Sequence, residues 1–222
     1  MYLVRLTEQL PQMSGEWNSP AWLRAETLEL LHFRPEGSDH RPRTWVRLLY
    51  NRNGFFGIFR VEDRYVRAIQ THYGDSVYKD SCVEFFVKPG RDPGYFNFEF
   101  SCGGTFLCSY ITDPERTVDG FREFVSIPEN DARLVAVHHS LPYVVDPEIV
   151  DPVIWTLEFF IPFALLGKYA RPLGGSPGRE WTANFYKCGD ETSHPHWASW
   201  QPLPKLNFHM PECFGAISFE GF

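Results

Sequence analysis

The sequence contains no cluster of lysine and arginine residues. Its 21 basic residues are outnumbered by 28 acidic ones, which gives a formal net charge of −7. Proteins that bind nucleic acid need clustered cations to neutralise phosphates, and anionic membrane surfaces attract similar basic patches. We therefore expect the chain to bind neither nucleic acid nor a membrane surface.

Long apolar runs are also absent. No stretch approaches the roughly 20 residues that a membrane-spanning helix requires. The N-terminal segment MYLVRLTEQLPQMSGEW lacks the basic start and the apolar run of a signal peptide. If Met1 is the natural start, the protein is expected to stay in the cytoplasm.

Cysteine is scarce. Most of the cysteines lie in apparent strands, where cysteine behaves as a small apolar residue, and their odd number also fits a reduced compartment. We expect free, structural thiols, with a disulfide between Cys102 and Cys108 across a hairpin as the alternative. The five residues are Cys82, Cys102, Cys108, Cys188 and Cys213.

Several catalytic and metal-binding motifs are missing. There is no Gly-x-Ser-x-Gly elbow, no phosphate-binding loop and no dinucleotide fingerprint. The segment from Cys188 to Trp197 contains His194 and His196 but lacks the two paired clusters of a structural zinc site, and its acidic residues lack the spacing of a calcium loop. The sequence therefore predicts no metal site and no catalytic residue.

Aromatic residues and turn formers are abundant instead. Aromatics make up 17% of the 222 residues, and there are 18 prolines and 17 glycines. This composition is typical of many strands joined by tight turns. It predicts an all-β fold, a two-layer antiparallel β-sandwich with at most short helices, and a closed barrel is the alternative. We expect one domain over residues 1–222, in which residues 1–26 form an irregular lead-in.

Alternating patterns and turn residues place the individual elements. One short helix is expected at Pro162–Tyr169, a hairpin turn at Asn51–Gly54, and loops at Pro35–Pro42 and Arg171–Arg179. The expected strands are Thr27–Arg34, Arg43–Asn51, Phe55–Glu62, Ser81–Lys88, Gly94–Cys102, Thr105–Ile111, Arg122–Ile127, Arg133–His139, Tyr143–Val145, Ile154–Ile161, Trp181–Lys187, His196–Trp200 and Ala216–Phe219.

Two neighbouring predicted strands carry polar residues among large apolar ones. In Phe96–Ser101 phenylalanine alternates with Asn97, Glu99 and Ser101, so the aromatic and polar side chains face opposite sides of the sheet. The preceding strand places Glu84 among valines and phenylalanines. A polar face beside aromatic rings suits a ligand rich in hydroxyl groups, such as a sugar. The alternative is a solvated outer face.

Further aromatic residues lie in or beside predicted loops. Sugar rings stack their C–H faces on aromatic side chains, so Tyr78 and Phe208 are candidates for such a contact. For Trp197 and Trp200 we favour the interpretation that they cap the core.

Three segments together resemble the carbohydrate-binding modules of family 9. Tyr78–Val87 (YKDSCVEFFV) is similar to a strand of the family that joins an aromatic residue to Asp-Ser and a glutamate. Val46–Asp63 resembles its paired strands that end in Val-x-Asp, and Ala198–Gly215 resembles its closing strand with Phe-Gly. The resemblance covers roughly residues 20–220, and the order of the segments makes the combination fairly specific.

The resemblance implies a β-sandwich that binds a mono- or oligosaccharide without cleaving it. Two tryptophans hold the sugar in the family, and their positions correspond here to Tyr78 and Phe208. Glu84 corresponds to a glutamate that bonds sugar hydroxyls, Asn97 replaces an arginine of some members, and Tyr186 lies near a polar contact. The family's calcium ligands do not match residue by residue, so no cofactor is predicted.

Two other functions remain as alternatives. An isolated module is unusual, since such modules usually serve an attached or partner glycan-degrading enzyme. The chain could therefore be a glycan-processing enzyme that uses the paired carboxylates Glu84 and Glu99. A related sandwich that binds haem would need axial ligands such as His209 and Met210, with Met13 remote from both.

Overall fold

The computed structural model describes residues 1–118, 120–170 and 181–221. Strands dominate them. In chain order these are β1 (Tyr2–Leu6), β2 (Leu28–Glu29), β3 (His32–Phe33), β4 (Arg43–Asn51), β5 (Gly54–Asp63), β6 (Val66–Ala68), β7 (Cys82–Lys88), β8 (Tyr95–Ser101), β9 (Phe106–Thr117), β10 (Gly120–Ser126), β11 (Ala136–His139), β12 (Val145–Ile149), β13 (Val153–Pro162), β14 (Trp181–Cys188), β15 (Trp197–Ser199) and β16 (Gly215–Phe219).

Helices are short in the described part of the chain. The α-helices are α1 (Glu129–Ala132) and α2 (Phe163–Tyr169), and single 3-10 turns lie at Trp22–Arg24, Val77–Lys79 and Pro211–Cys213. Helix α2 confirms the predicted element, with Leu165 and Leu166 buried. Neither α-helix is long enough or apolar enough to cross a membrane.

The strands form two layers. The first sheet has the order β10-β9-β8-β7-β14-β16-β1, and the second has the order β1-β4-β5-β13-β11. Neighbours are antiparallel except at β1, which runs parallel to both β16 and β4. Strand β1 therefore links the two sheets at one side, while β10 and β11 end the path, so the sandwich is open and the barrel alternative is wrong.

The core lies between the two sheets. Alternate residues of β8 that face inward are Phe96, Phe98 and Phe100, all fully buried. The ring of Phe100 stacks on Phe159 of the opposite sheet with centroids 5.2 Å apart. Burying one such ring contributes about 1.5–3 kcal/mol. The predicted two-layer sandwich and the inward face of this strand are confirmed.

The lead-in expected at residues 1–26 was partly wrong. Tyr2–Leu6 is a strand in the middle of the sandwich, with Tyr2 and Val4 buried. Its period of two is visible in the sequence, but five residues are too few to distinguish a strand from an extended loop. The parallel pairing that holds it involves β4 and β16, which are distant in the chain.

Some predicted strands differ in extent. The expected strand Thr27–Arg34 is split, because Leu28–Glu29 pairs with β4 whereas His32–Phe33 pairs with β15. Strand β6 was missed, and β12 begins where the expected strand Tyr143–Val145 ends. The predicted loop Arg171–Arg179 lies outside the described residues.

The five cysteines all have free thiols, and Cys102 and Cys108 do not pair. Four are buried, and Cys213 is partly exposed. The organisation as one domain stays a prediction.

Candidate functional site

A cleft of about 570 Å³ lies on the outer face of the first sheet. Its floor comes from β7, β8 and β14, and its walls come from the 3-10 turn Val77–Lys79, the β9–β10 hairpin and the segment 197–209. Four of the predicted site residues line it: Tyr78, Glu84, Asn97 and Phe208. The tertiary structure thus brings together residues from three separate parts of the chain.

The strand register places the polar side chains of the floor side by side. Glu84 of β7 is directly opposite Glu99 of β8, and Asn97 lies on the same face because side chains alternate along a strand. Glu84 and Asn97 are each 2% exposed and Glu99 is 5% exposed. This face is covered by loops, so the alternative of a solvated outer sheet is wrong.

Hydrogen bonds hold the Asn97 amide in one orientation. Its Nδ2 donates to Glu99 Oε1 at 2.8 Å, and its Oδ1 accepts from the Ser109 backbone N–H at 2.7 Å. Asn97 therefore positions the Glu99 carboxyl and presents a remaining N–H donor at the floor of the cleft.

Glu84 has one oxygen with a partner and one without. The Cys188 thiol donates to Oε1 at 3.2 Å, whereas Oε2 is buried and has no hydrogen-bond partner. A buried polar atom without a partner costs about 1–3 kcal/mol. A ligand hydroxyl that reaches Oε2 would remove this cost on binding.

Burial raises the pKa values of the acidic groups. The pKa of Glu84 lies well above its usual value, first because of burial and then because of the neighbouring Cys188 and Glu99. Burial raises the pKa of Glu99 to about 7, although the hydrogen bond from Asn97 and the charge of Arg116 oppose the shift. At neutral pH Glu99 is therefore close to half-protonated, and burial favours the protonated form of Glu84. A protonated carboxyl both donates and accepts hydrogen bonds.

The two candidate stacking residues, Tyr78 and Phe208, differ in how firmly the surrounding structure holds them. Tyr78 lies in a 3-10 turn and is 37% exposed at the rim. Phe208 stacks on Tyr186 with ring centroids 4.1 Å apart, and its carbonyl accepts a 2.9 Å hydrogen bond from the Tyr186 hydroxyl. The ring of Phe208 is thus held in place by Tyr186 beneath it.

Tyr186 itself does not line the cleft. Its side chain is fully buried, and its hydroxyl is used by Phe208. The prediction that Tyr186 contacts a ligand needs correction, because Phe208 and its own burial separate it from the opening. Tyr186 positions Phe208 instead.

The two tryptophans have different environments. Trp200 packs against the core beside Phe185, as predicted. Trp197 packs against Val77 but also lines the cleft. Its indole Nε1 donates to Asp190 Oδ1 at 2.7 Å. The prediction that Trp197 caps the core was incomplete, because its ring both packs against a buried cluster and lines the cleft.

The β9–β10 hairpin supplies residues that the sequence argument missed. Arg116, Phe121 and Phe124 line the cleft, and the Arg116 guanidinium lies 3.9 Å from the centre of the Phe121 ring. The aromatic pattern of β10 was visible, but nothing in it indicated that the hairpin bends over β8.

His209 is a further lining residue, and it bears on the haem alternative. Its Nδ1 shares a 2.9 Å hydrogen bond with the Tyr95 hydroxyl, and its ring packs against Phe121. Burial and the charge of Arg116 lower its pKa to about 3. Met210 lies in an apolar cluster. Both candidate axial ligands are therefore used in packing or hydrogen bonding.

The segment after β14 forms no calcium-like site within the described residues. His196, His40 and Asp63 each place one potential ligand atom within 4.8 Å of the other two. The Lys187 ammonium occupies this group, donating to His196 Nε2 at 2.7 Å and lying 3.4 Å from Asp63 Oδ2. A cation is already present there, and calcium would require oxygen ligands instead.

Comparison with known proteins identifies relatives of this arrangement. Residues 23–219 match the sequence profile of carbohydrate-binding family 9. A crystal structure from Bacteroides uniformis ATCC 8492, described as that of a candidate carbohydrate-binding protein, is 27% identical, with a TM-score of 0.80 and 98% of each chain covered.

Two further structures come from a family 9 carbohydrate-binding module of Caldicellulosiruptor kristjanssonii, one in complex with cellotriose and one with glucose. Each has a TM-score of 0.60 and 12% identity, and each alignment covers 99% of this chain and 94% or 96% of the other. At this identity they support the fold alone. No curated protein shows significant similarity to the chain.

Proposed function

The chain belongs to carbohydrate-binding family 9, and we propose that it binds a saccharide, without cleaving it, in the cleft lined by Tyr78 and Phe208. The observation that carries this proposal is the composition of the cleft, which joins loop aromatics to a buried carboxyl with an unpartnered oxygen. The aromatic rings suit the C–H faces of a sugar, and Glu84 Oε2 suits one of its hydroxyls.

The polar floor supports recognition of a neutral sugar. Burial favours the protonated form of Glu84 and raises the pKa of Glu99 to about 7, and Asn97 contributes an amide donor. Such groups bond hydroxyls as donors and acceptors without requiring a charged ligand. The cleft volume lies within the 300–1,000 Å³ usual for small-molecule sites. Glucose and cellotriose, which are bound in the two structures of the Caldicellulosiruptor kristjanssonii module, are therefore the first ligands to test.

The hydrolase alternative has little support in this geometry. A glycosidase places its two carboxyl groups on either side of the scissile bond. Glu84 and Glu99 are paired neighbours on one sheet face, so both lie on the floor of the cleft. A sugar above this floor would meet both carboxyls from the same side.

Titration calorimetry with glucose and cellotriose tests the proposal directly, with a glycan array to extend the search if neither binds. The double variant Tyr78→Ala, Phe208→Ala should lose most of the affinity while remaining folded by circular dichroism. Tyr143→Ala is a suitable control, since Tyr143 is 49% exposed and does not line the cleft. Normal binding by the double variant, or no binding of any arrayed glycan by the natural protein, would refute the proposal.

A further inference from the structure

The floor of the cleft also holds two thiols that take no part in the proposed sugar binding, and they lie beside Glu84, which does. Cys82 of β7 is the registered partner of Cys188 of β14, and Glu84 lies two residues from Cys82 on the same face. All three side chains are buried. The sheet register, and not a chance approach of flexible loops, brings the two thiols and the carboxyl together.

We propose that Cys82, Cys188 and Glu84 form a binding site for a thiophilic divalent transition metal ion, with Zn²⁺ as the ion that fits best. One donor atom from each residue lies within 4.8 Å of the other two, and the Cys188 Sγ is 3.2 Å from Glu84 Oε1. Bonds of about 2.0–2.3 Å to a tetrahedral zinc ion place ligand atoms about 3.3–3.8 Å apart. The 3.2 Å between Cys188 Sγ and Glu84 Oε1 is already close to this range.

The unpartnered oxygen of Glu84, which the sugar proposal also uses, points to a ligand at this position. Oε2 is buried without a hydrogen-bond partner, although the rest of the local polar network is paired. A bound cation would satisfy it. The donor set also selects the type of ion, because thiolates favour zinc and other soft ions over calcium or magnesium.

Burial disfavours the deprotonated forms of the three proposed ligands when no metal is bound. Burial raises the pKa of the Cys82 thiol to about 12 and raises that of Cys188 well above its usual value. Burial likewise raises the pKa of Glu84, while Glu99, Asp190 and Lys187 are the other charged or titratable groups that face the cluster. A metal ion would bind by replacing the protons of its ligands.

The fourth coordination position would open to the cleft. Glu84 and Cys188 line the cleft, whereas Cys82 does not. Three protein ligands and one open position leave room for water or for a hydroxyl of a bound sugar. The site would thus lie beneath the proposed sugar and share Glu84 with it, but metal binding itself does not depend on the sugar.

Cobalt titration of reduced, chelator-treated protein tests the site, because thiolate ligands give Co²⁺ an intense charge-transfer absorption. We expect one equivalent of Co²⁺ to bind, the absorption to appear, and Zn²⁺ to displace it. Cys82→Ser and Cys188→Ser should each lower the absorption markedly and weaken Zn²⁺ binding at least about tenfold, since loss of even an outer partner costs 10–100-fold. Cys102→Ser, which removes another buried thiol, should change neither.

Two matched variants separate this proposal from sugar binding. Tyr78→Ala should retain the metal site while losing sugar affinity, and Cys82→Ser should lose the metal while retaining sugar affinity. Melting curves without metal establish that each variant folds. Absence of the charge-transfer absorption in protein with five titratable thiols, or unchanged Zn²⁺ affinity in Cys82→Ser, would overturn the metal site.

Discussion

Glu99 should make the stability of the protein depend on pH in a defined direction. Its pKa is raised to about 7 in the folded state, mainly by burial, whereas an unfolded glutamate titrates near pH 4.3. Between these values the folded state binds more protons than the unfolded state, so stability falls as pH rises. Below the unfolded pKa both states are protonated and the cost is absent.

The size of this change in stability follows from the pKa shift of Glu99. Raising the pKa from 4.5 to about 7 corresponds to about 3 kcal/mol at 1.36 kcal/mol per pKa unit. Glu99→Gln has the shape of the protonated carboxyl and can still accept the hydrogen bond from Asn97. We expect the variant to be more stable than the natural protein by up to about 3 kcal/mol at pH 8 and similar to it at pH 4.

Urea denaturation at pH 4, 6 and 8 measures this difference, and thermal melts should show a gain of roughly 6–12 °C at pH 8. Glu8→Gln serves as a control, because Glu8 is exposed and its replacement should change little. A gain in stability of the Glu99 variant that is equal at pH 4 and pH 8, or a loss at pH 8, would refute the assignment of Glu99 as a buried, proton-retaining carboxyl.

Three further predictions concern the cleft and the buried charges. Tyr78→Ala should weaken saccharide binding about five- to tenfold, from about 1 kcal/mol of lost stacking, with little change in Tm because the ring is partly exposed; calorimetry and melts check both. Phe208→Ala should weaken binding similarly and also lower stability by about 1–2 kcal/mol, since it removes the stacking on Tyr186; an unchanged Tm would contradict this packing. Lys187→Met should lower stability by about 3–5 kcal/mol in urea denaturation, because it leaves the buried Asp63 carboxylate without its ammonium partner, and a neutral effect would show that the pair is dispensable.

Local sequence patterns were enough to predict most of the strands. The alternation in β8 predicted which side chains face the core and which face outward, because the period of two is a property of the extended backbone. The turn at Asn51–Gly54 was also readable, and the register of β4 with β5 confirms it. Helix α2 was predicted from proline at its start and two apolar residues within one turn.

The candidate site was predicted in part. The resemblance of three segments to one family identified Tyr78, Glu84, Asn97 and Phe208, and all four line the cleft. Their roles as sugar contacts stay predictions. Tyr186 was assigned a contact that its complete burial does not allow, since exposure at one strand position depends on which loop covers it.

The sequence by itself thus determined the secondary structure of most segments and the polar character of one sheet face. Only the tertiary structure decided that β1 joins the two sheets, that the β9–β10 hairpin forms a wall of the cleft, and that Cys82 lies opposite Cys188. The physical reason is that these features depend on pairing between segments distant in the chain. Local periodicity states which way a side chain faces, but not which strand or loop it meets.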